Sequence, residues 1–149
     1  MPRATKSSVF LDSSVFISGL LSQTGGSFRV LAEAHRGTVR ITSILYVVDE
    51  VNSVLKRKYP GLYPRFAELL RFGRVHVESD PPLSMVAAYG ALITDIADAP
   101  ILAGVDVTHS QFLLTLDQRD FFTRRLAEAH LPFIIATPQS FFTLFDKRT

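Results

Sequence analysis

The chain contains no cysteine, which excludes disulfides and thiolate metal sites and fits a reducing compartment. A metal ion would have to sit on oxygen or histidine. The histidines, His35, His76, His109 and His130, lack the HxxxH type of spacing and read as surface or satisfied core residues. A strong charge of one sign is also missing: 16 Lys and Arg against 14 Asp and Glu leave a formal +2. That field is too weak to argue for nucleic acid from the whole molecule, so any basic surface must be local. Neither a GxxxxGK[ST] loop nor a GxSxG elbow occurs, which disfavours nucleotide-triphosphate and serine-hydrolase chemistry, and Gly25-Gly26 is a plain turn. No run reaches the roughly 18 apolar residues of a membrane span. The basic start from Met1 to Lys6, followed by Val9 to Leu21, superficially resembles a signal peptide, but Asp12 breaks the stretch, five serines dilute it, and no small-x-small cleavage site follows. The expectation is a soluble, cytoplasmic protein without a membrane partner.

What is present is the material of a core. Of 149 residues 47% are hydrophobic, 12 are Phe and only 20% are charged, far from the composition of a disordered chain. One domain over residues 1–149 is expected. Val9-Phe10-Leu11 reads as a strand entering Asp12, after which a helical pattern begins. Ser27 is expected to cap a second helix that Gly37 stops, and Val39 to Ile41 forms a second strand. From Ser43 to Lys58, Ile44, Val47, Val48, Val51 and Leu55 repeat as one buried helical face. Pro60-Gly61 breaks it, and a helix from Tyr63 to Phe72, a strand from Val75 to Val77 and a short helix near Leu83 to Leu92 follow. Ala99 to Val107 reads as a helix with Pro100 harmlessly in its first turn. The chain closes with a strand from Phe112 to Leu116, a helix from about Asp120 to Ala129, a strand from Phe133 to Ala136 and a helix after Pro138. Strands alternating with helices at this spacing predict a parallel sheet of four or five strands covered on both faces, a three-layer α/β/α, Rossmann-like arrangement.

In such a sheet ligands bind at the carboxyl ends of the strands, above all where the strand order reverses. Asp12 and Asp117 each follow an apolar strand. If those two strands are neighbours, the carboxylates converge, and their repulsion calls for a hard cation. Either residue alone is equally well explained as a cap. Asp95 and Asp98 precede the Pro100 helix, where acids commonly complement the helix dipole. On the long helix Glu50 flanks the apolar face beside Val47 and Val54, whereas Asp49 points further toward solvent.

The arrangement resembles the PIN-domain family, and within it the single-domain toxin nucleases of toxin-antitoxin pairs. "VFLDSSVFISGL" is similar to that family's strand followed by Asp-[Ser/Thr]-[Ser/Asn], with Asp12 as first ligand and Ser14 supporting it. "ITSILYVVDEV" resembles the helix that brings in an acid, at Glu50; "DIADAPILAGV" the segment that supplies Asp98, with Asp95 auxiliary; and "FLLTLDQRDFF" the Thr-x-Asp signature, at Thr115 and Asp117. The segments run in the family's order, with 18 residues between Asp98 and Asp117. Two departures stand out: Arg119 and Asp120 follow the Thr-x-Asp segment where toxins often carry His or a second acid, and Gln111 stands where relatives frequently have Asp.

The resemblance implies a Mg²⁺- or Mn²⁺-dependent endoribonuclease in which Asp12, Asp98 and Asp117 bind the ions and Glu50 positions or ligates at a second site. Ser14 and Thr115 would orient carboxylates, with Asp95 and Asp120 as spare acids. It also implies an RNA substrate, a cognate antitoxin and a homodimer. RNA approaching an acidic pocket needs a basic rim, for which Lys56, Arg57 and Lys58 and Arg119, Arg124 and Arg125 are candidates, against the plainer readings of a helix C-terminus and a solvated helix face. A haloacid-dehalogenase type of phosphatase is a rival, although Ser14 stands where that chemistry wants a second Asp. The other rival is a PIN-like RNA- or protein-binding regulatory module that does not cut. Phe121, Phe122, Phe141, Phe142 and Phe145 read as core or as an interface.

Overall fold

A computed structural model describes residues 6–148; the basic start at Met1 to Thr5 lies outside them. The first apolar run is strand β1 (Ser7–Leu11), and helix α1 (Ser13–Leu21) begins one residue after it, around Asp12. Helix α2 (Gly26–Arg36) ends at Gly37, whose φ of 85° is the left-handed conformation that lets a glycine close a helix. Its start differs from expectation. Gly25 at φ 94° occupies the cap position with no side-chain bond, and Ser27 is buried inside the first turn.

Strand β2 (Val39–Ile44) is longer than its sequence pattern predicts, and helix α3 (Leu45–Lys58) correspondingly starts later. Ser43 and Ile44 fit the helical spacing but are taken by the sheet, because β3 (Val75–Glu78) runs on past the last pair with β1 and offers them partners, Val77 opposite Ser43 and Glu78 opposite Ile44. Val47, Val48, Val51 and Leu55 still form the buried face of α3. Between them lie α4 (Tyr63–Phe72), which follows a 3-10 turn at Pro60–Leu62, and after β3 comes α5 (Leu83–Gly90). A second 3-10 turn, Ile96–Asp98, leads into α6 (Ala99–Val107), with Pro100 in its first turn as expected.

Strand β4 (Phe112–Leu114) stops short of Thr115 and Leu116, although the Thr115 amide still donates to Ala136 of β5 (Ile134–Ala136) at 3.1 Å. The single helix expected from Asp120 to Ala129 is two: α7 (Gln118–Phe121) and α8 (Arg124–Glu128). Thr123 makes the break by capping α8, its hydroxyl accepting from the Leu126 amide at 3.2 Å. Helix α9 (Pro138–Arg148) closes the chain.

The five strands pair in parallel in the order β3-β2-β1-β4-β5. The chain therefore winds outward from β1 in one direction and then, through β4 and β5, in the other, and the reversal falls between β1 and β4. Helices flank the sheet and bury its central strands: Val9, Phe10, Leu11, Leu113 and Leu114 are fully inaccessible. Phe121, Phe141 and Phe142 belong to this core and Phe145 packs against it, whereas Phe122, at the α7–α8 break, is 43% exposed. No helix among the described residues is long and apolar enough to cross a membrane.

Candidate metal centre

The register between β1 and β4 puts Leu11 opposite Leu114, so the next residues, Asp12 and Thr115, also stand side by side where both strands end. The Asp12 amide continues the ladder to the Leu114 carbonyl at 3.1 Å. Asp12 is 5% exposed, and its carboxylate is gripped at both oxygens. Oδ1 accepts from the Ser13 amide at 2.8 Å; Oδ2 accepts from the Ser14 hydroxyl at 3.1 Å and the Thr115 hydroxyl at 2.8 Å. Each hydroxyl also reaches forward. Ser14 Oγ accepts the Leu116 amide at 3.1 Å, and Thr115 Oγ1 accepts the Asp117 amide at 3.0 Å. Two hydroxyl relays thus fasten the segment after β4 to Asp12 and fix the Asp12 rotamer. Burial raises the Asp12 pKa, the three donors oppose that rise, and the Asp117 charge adds to it.

A tighter grouping lies at the foot of α6. Asp95, Asp98 and Asp120 each offer a carboxylate oxygen within 4.8 Å of the others. Asp95 also caps the 3-10 turn by accepting the Ala97 amide at 3.0 Å, and Asp117 caps α7 by accepting the Asp120 amide at 3.1 Å, which brings Asp120 in. Asp98 differs from these. It stands at the cap position of α6 but accepts no capping bond, and its Oδ2 is shielded from solvent with no hydrogen-bond partner. Burial, then the Asp120 carboxyl facing it, then the charges of Asp95 and Asp12, push its pKa up to about 8. An orphaned carboxylate oxygen among like charges fits a hard cation that prefers oxygen donors. Asp95, Asp98 and Asp120 are the residues in position to hold one.

The other predicted acids surround this trio without joining its 4.8 Å grouping. Loss of hydration and the Asp12 charge raise the Glu50 pKa, and the Ser13 hydroxyl opposes the rise. Asp12 is thus electrically coupled to Glu50, Asp98 and Asp117 alike. No histidine belongs to the grouping. Gln111 is at the far end of β4, clasping Ser8 through reciprocal bonds of 3.0 and 3.1 Å, away from the acids.

Three residues escaped the sequence reading. Ser13 supplies the amide on Asp12. Tyr46, one turn before Glu50 and so on its face of α3, donates its hydroxyl to the Ala97 carbonyl at 2.7 Å, tying α3 to the Asp95–Asp98 segment. Asp80 accepts the Tyr46 amide at 2.8 Å. Burial raises the Tyr46 pKa, as do, in order, the charges of Glu50, Asp98, Asp95 and Asp80. The i to i+4 spacing of Tyr46 and Glu50 was a usable signal; Asp80 had none.

The candidate basic rim is scattered. Lys56, Arg57 and Lys58 are exposed in the last turn of α3, with Lys56 Nζ 4.9 Å from the Tyr63 ring centroid. Arg124 pairs with Glu128 at 2.8 Å, and Arg125 donates to the Ala91 carbonyl at 3.3 Å. Arg119 is exposed in α7 between Asp117 and Asp120.

No family model and no curated protein matches the sequence. Solved structures do match in shape. VapBC2 from Rickettsia felis, bound to a promoter DNA fragment, superposes with a TM-score of 0.65 at 11% identity, over 87% of this chain and 98% of that one. PAE2754 from Pyrobaculum aerophilum gives 0.59 at 13%, over 95% and 90%. Mycobacterium tuberculosis VapC20, a sarcin-ricin loop cleaving toxin, gives 0.54 at 16%, over 74% and 91%. With five parallel strands reversing order between β1 and β4 and helices on their flanks, the chain has a PIN-like fold of the VapC kind.

Proposed function

We propose that the protein is a metal-dependent endoribonuclease, the toxin member of a toxin-antitoxin pair, acting at the acidic patch on the carboxyl edge of its sheet. The observation that carries this reading is the shielded, partnerless Asp98 Oδ2, set among Asp95 and Asp120 within 4.8 Å. Asp12, Asp98 and Asp117 hold Mg²⁺ or Mn²⁺, and Glu50 positions or ligates at a second site. Asp95 and Asp120, which sequence reasoning left as spare acids, act as ligands beside Asp98. When bound, such an ion supplies positive charge for the phosphodiester and lowers the pKa of a coordinated water. Ser14 and Thr115 keep the Asp12 carboxylate oriented. A Ser14 hydroxyl spent on Asp12 is not the second acid that phosphatase chemistry of the haloacid-dehalogenase type requires.

The likeness to VapBC2 and VapC20 supports extending the reading to an antitoxin partner and an RNA substrate. A homodimer belongs to the same reading.

The test is cleavage of a structured RNA in Mg²⁺ or Mn²⁺ against chelator, with Asp12→Asn and Asp98→Asn as controls. Cleavage is expected only with metal and is lost by a hundredfold or more, on the scale of a lost electrostatic contribution of about 3 kcal/mol or more. Full activity in both variants defeats the assignment. Turnover of a small phosphomonoester in place of RNA gives the site to the phosphatase rival.

A further inference from the structure

The edge of the sheet opposite the acids carries a basic pocket. Lys6 precedes β1, Arg40 is the second residue of β2, and Arg74 and His76 flank the first residue of β3. With Gly37 and Val39 they line a cavity of about 300 Å³. The register explains the convergence. Ser8 stands opposite Arg40 and Ile41 opposite Val75, so stepping back one residue sets Arg40 beside Arg74. Thr42, two residues beyond Arg40 on β2 and so on the same face, stands opposite His76, which adds that side chain.

Two cationic heads meet over Gly37. A β-carbon there would stand 2.6 Å from Arg74 Nη1 and 3.7 Å from Lys6 Nζ, so guanidinium and ammonium share space that a glycine leaves open. Arg74 itself is held at φ 61°, a left-handed conformation that disfavours any residue with a side chain. Like charges brought together in this way repel, and no salt bridge among the described residues engages Lys6, Arg40 or Arg74. Glu33, on the helix that Gly37 closes, is already engaged by Arg36 and Thr38. The C-terminal carbonyls of α2 attract a cation, which accounts for one head over Gly37 and leaves Arg40 and His76 on the sheet unexplained.

We propose that this pocket binds a phosphate of a single-stranded RNA, as an anchor remote from the acidic patch. The proposal rests on the nuclease reading. The five residues of β1 separate the two edges by about 16 Å at roughly 3.3 Å each. An RNA drawn toward carboxylates needs compensating positive contacts elsewhere along its backbone. Two guanidiniums present the fork of donors that suits phosphate oxygens, which favours phosphate over the carboxylates of an acidic peptide.

The experiment is fluorescence anisotropy of a labelled single-stranded RNA with the full chain carrying Asp98→Asn, in Mg²⁺, across a salt series. Adding Arg40→Gln and Arg74→Asn is expected to weaken binding about tenfold and to lower the slope of log Kd against log salt by about 1.4, two contacts at about 0.7 each. Asn tolerates the left-handed backbone, and Arg40→Lys with Arg74→Lys is expected to restore the salt slope but only part of the affinity, because an ammonium lacks the guanidinium fork. Unchanged affinity and slope overturn the proposal, as does a fall in melting temperature without a fall in affinity, which marks a purely structural role at the end of α2. Competition by polyglutamate as strong as by RNA moves the site to acidic peptides and overturns the RNA assignment. Inorganic phosphate binding that depends on Arg74, with RNA affinity unmoved, leaves a free-phosphate site and overturns it too. Cleavage is scored separately with the chain that retains Asp98: Arg74-dependent RNA binding without any cutting in Mg²⁺ keeps the pocket and removes the nuclease.

Discussion

Asp98 is the residue at which charge, burial and geometry disagree most, and its disagreement is measurable. Because its folded pKa is raised to about 8 from an ordinary 3.8, the native state holds an extra proton between those values. Stability then falls as pH rises through that interval. Without metal, the urea midpoint is expected to be lower at pH 8 than at pH 5.5; the raised Asp12 and Glu50 act in the same sense. Asp98→Asn is expected to flatten most of this dependence, and a wild-type midpoint that rises with pH contradicts the placement of the carboxyl. Thr115 has a quieter role. Its hydroxyl donates to Asp12 and accepts from the Asp117 amide, so Thr115→Val is expected to cost about 1–3 kcal/mol by denaturant unfolding and to weaken metal binding about 10- to 100-fold by calorimetry.

Among the elements, α6 is the one whose position the site depends on, because Asp98 leads directly into it. Gly104 lets α6 approach the sheet closely: a β-carbon there would lie 2.9 Å from Ile44 Cδ1 and 3.0 Å from Phe10 Cζ. Phe10 is fully buried in β1 and cannot retreat without disturbing the strand that delivers Asp12. Gly104→Ala is therefore expected to destabilise by about 1–3 kcal/mol, in spite of alanine's better helix propensity. A melting temperature equal to or above wild type would show that α6 has room to shift. The α7–α8 break belongs to this scale as well. It places Asp120 in a short helix capped by Asp117, where a continuous helix would start only at Asp120 itself.

At the scale of the whole molecule the acids join segments far apart in sequence: the end of β1, α3, the entry to α6 and the end of β4. An ion held at Asp95, Asp98 and Asp120 would tie the entry of α6 to the segment after β4 and favour the folded state. Mg²⁺ at a hundred times its dissociation constant is expected to add about 2.7 kcal/mol, seen as a rise in thermal midpoint that Asp98→Asn removes. A midpoint indifferent to Mg²⁺ and Mn²⁺ argues against a metal centre. Much of this architecture was legible beforehand, because alternation of apolar strands and amphipathic helices is a local property of the chain. The bounds of α4 and α6, the glycine stop of α2 and the strand exits at Asp12 and near Asp117 all follow from spacing and turn chemistry. The motifs also marked Ser14 beside Asp12 and Thr115 beside Asp117, but the bonds from Thr115 to Asp12 and from Leu116 to Ser14 join segments far apart in the chain. What pattern alone did not supply was any outcome of competition between distant partners. Ser43 and Ile44 satisfy a helix and a strand equally well until Val77 and Glu78 of β3 are present to pair with them. Asp95, Asp98 and Asp120 become a group, and Tyr46 and Asp80 their neighbours, only when the carboxyl edge is assembled. Periodicity fixes which face of an element is buried; which carboxylates end up facing one another, short of water and of partners, is decided by packing across the sheet.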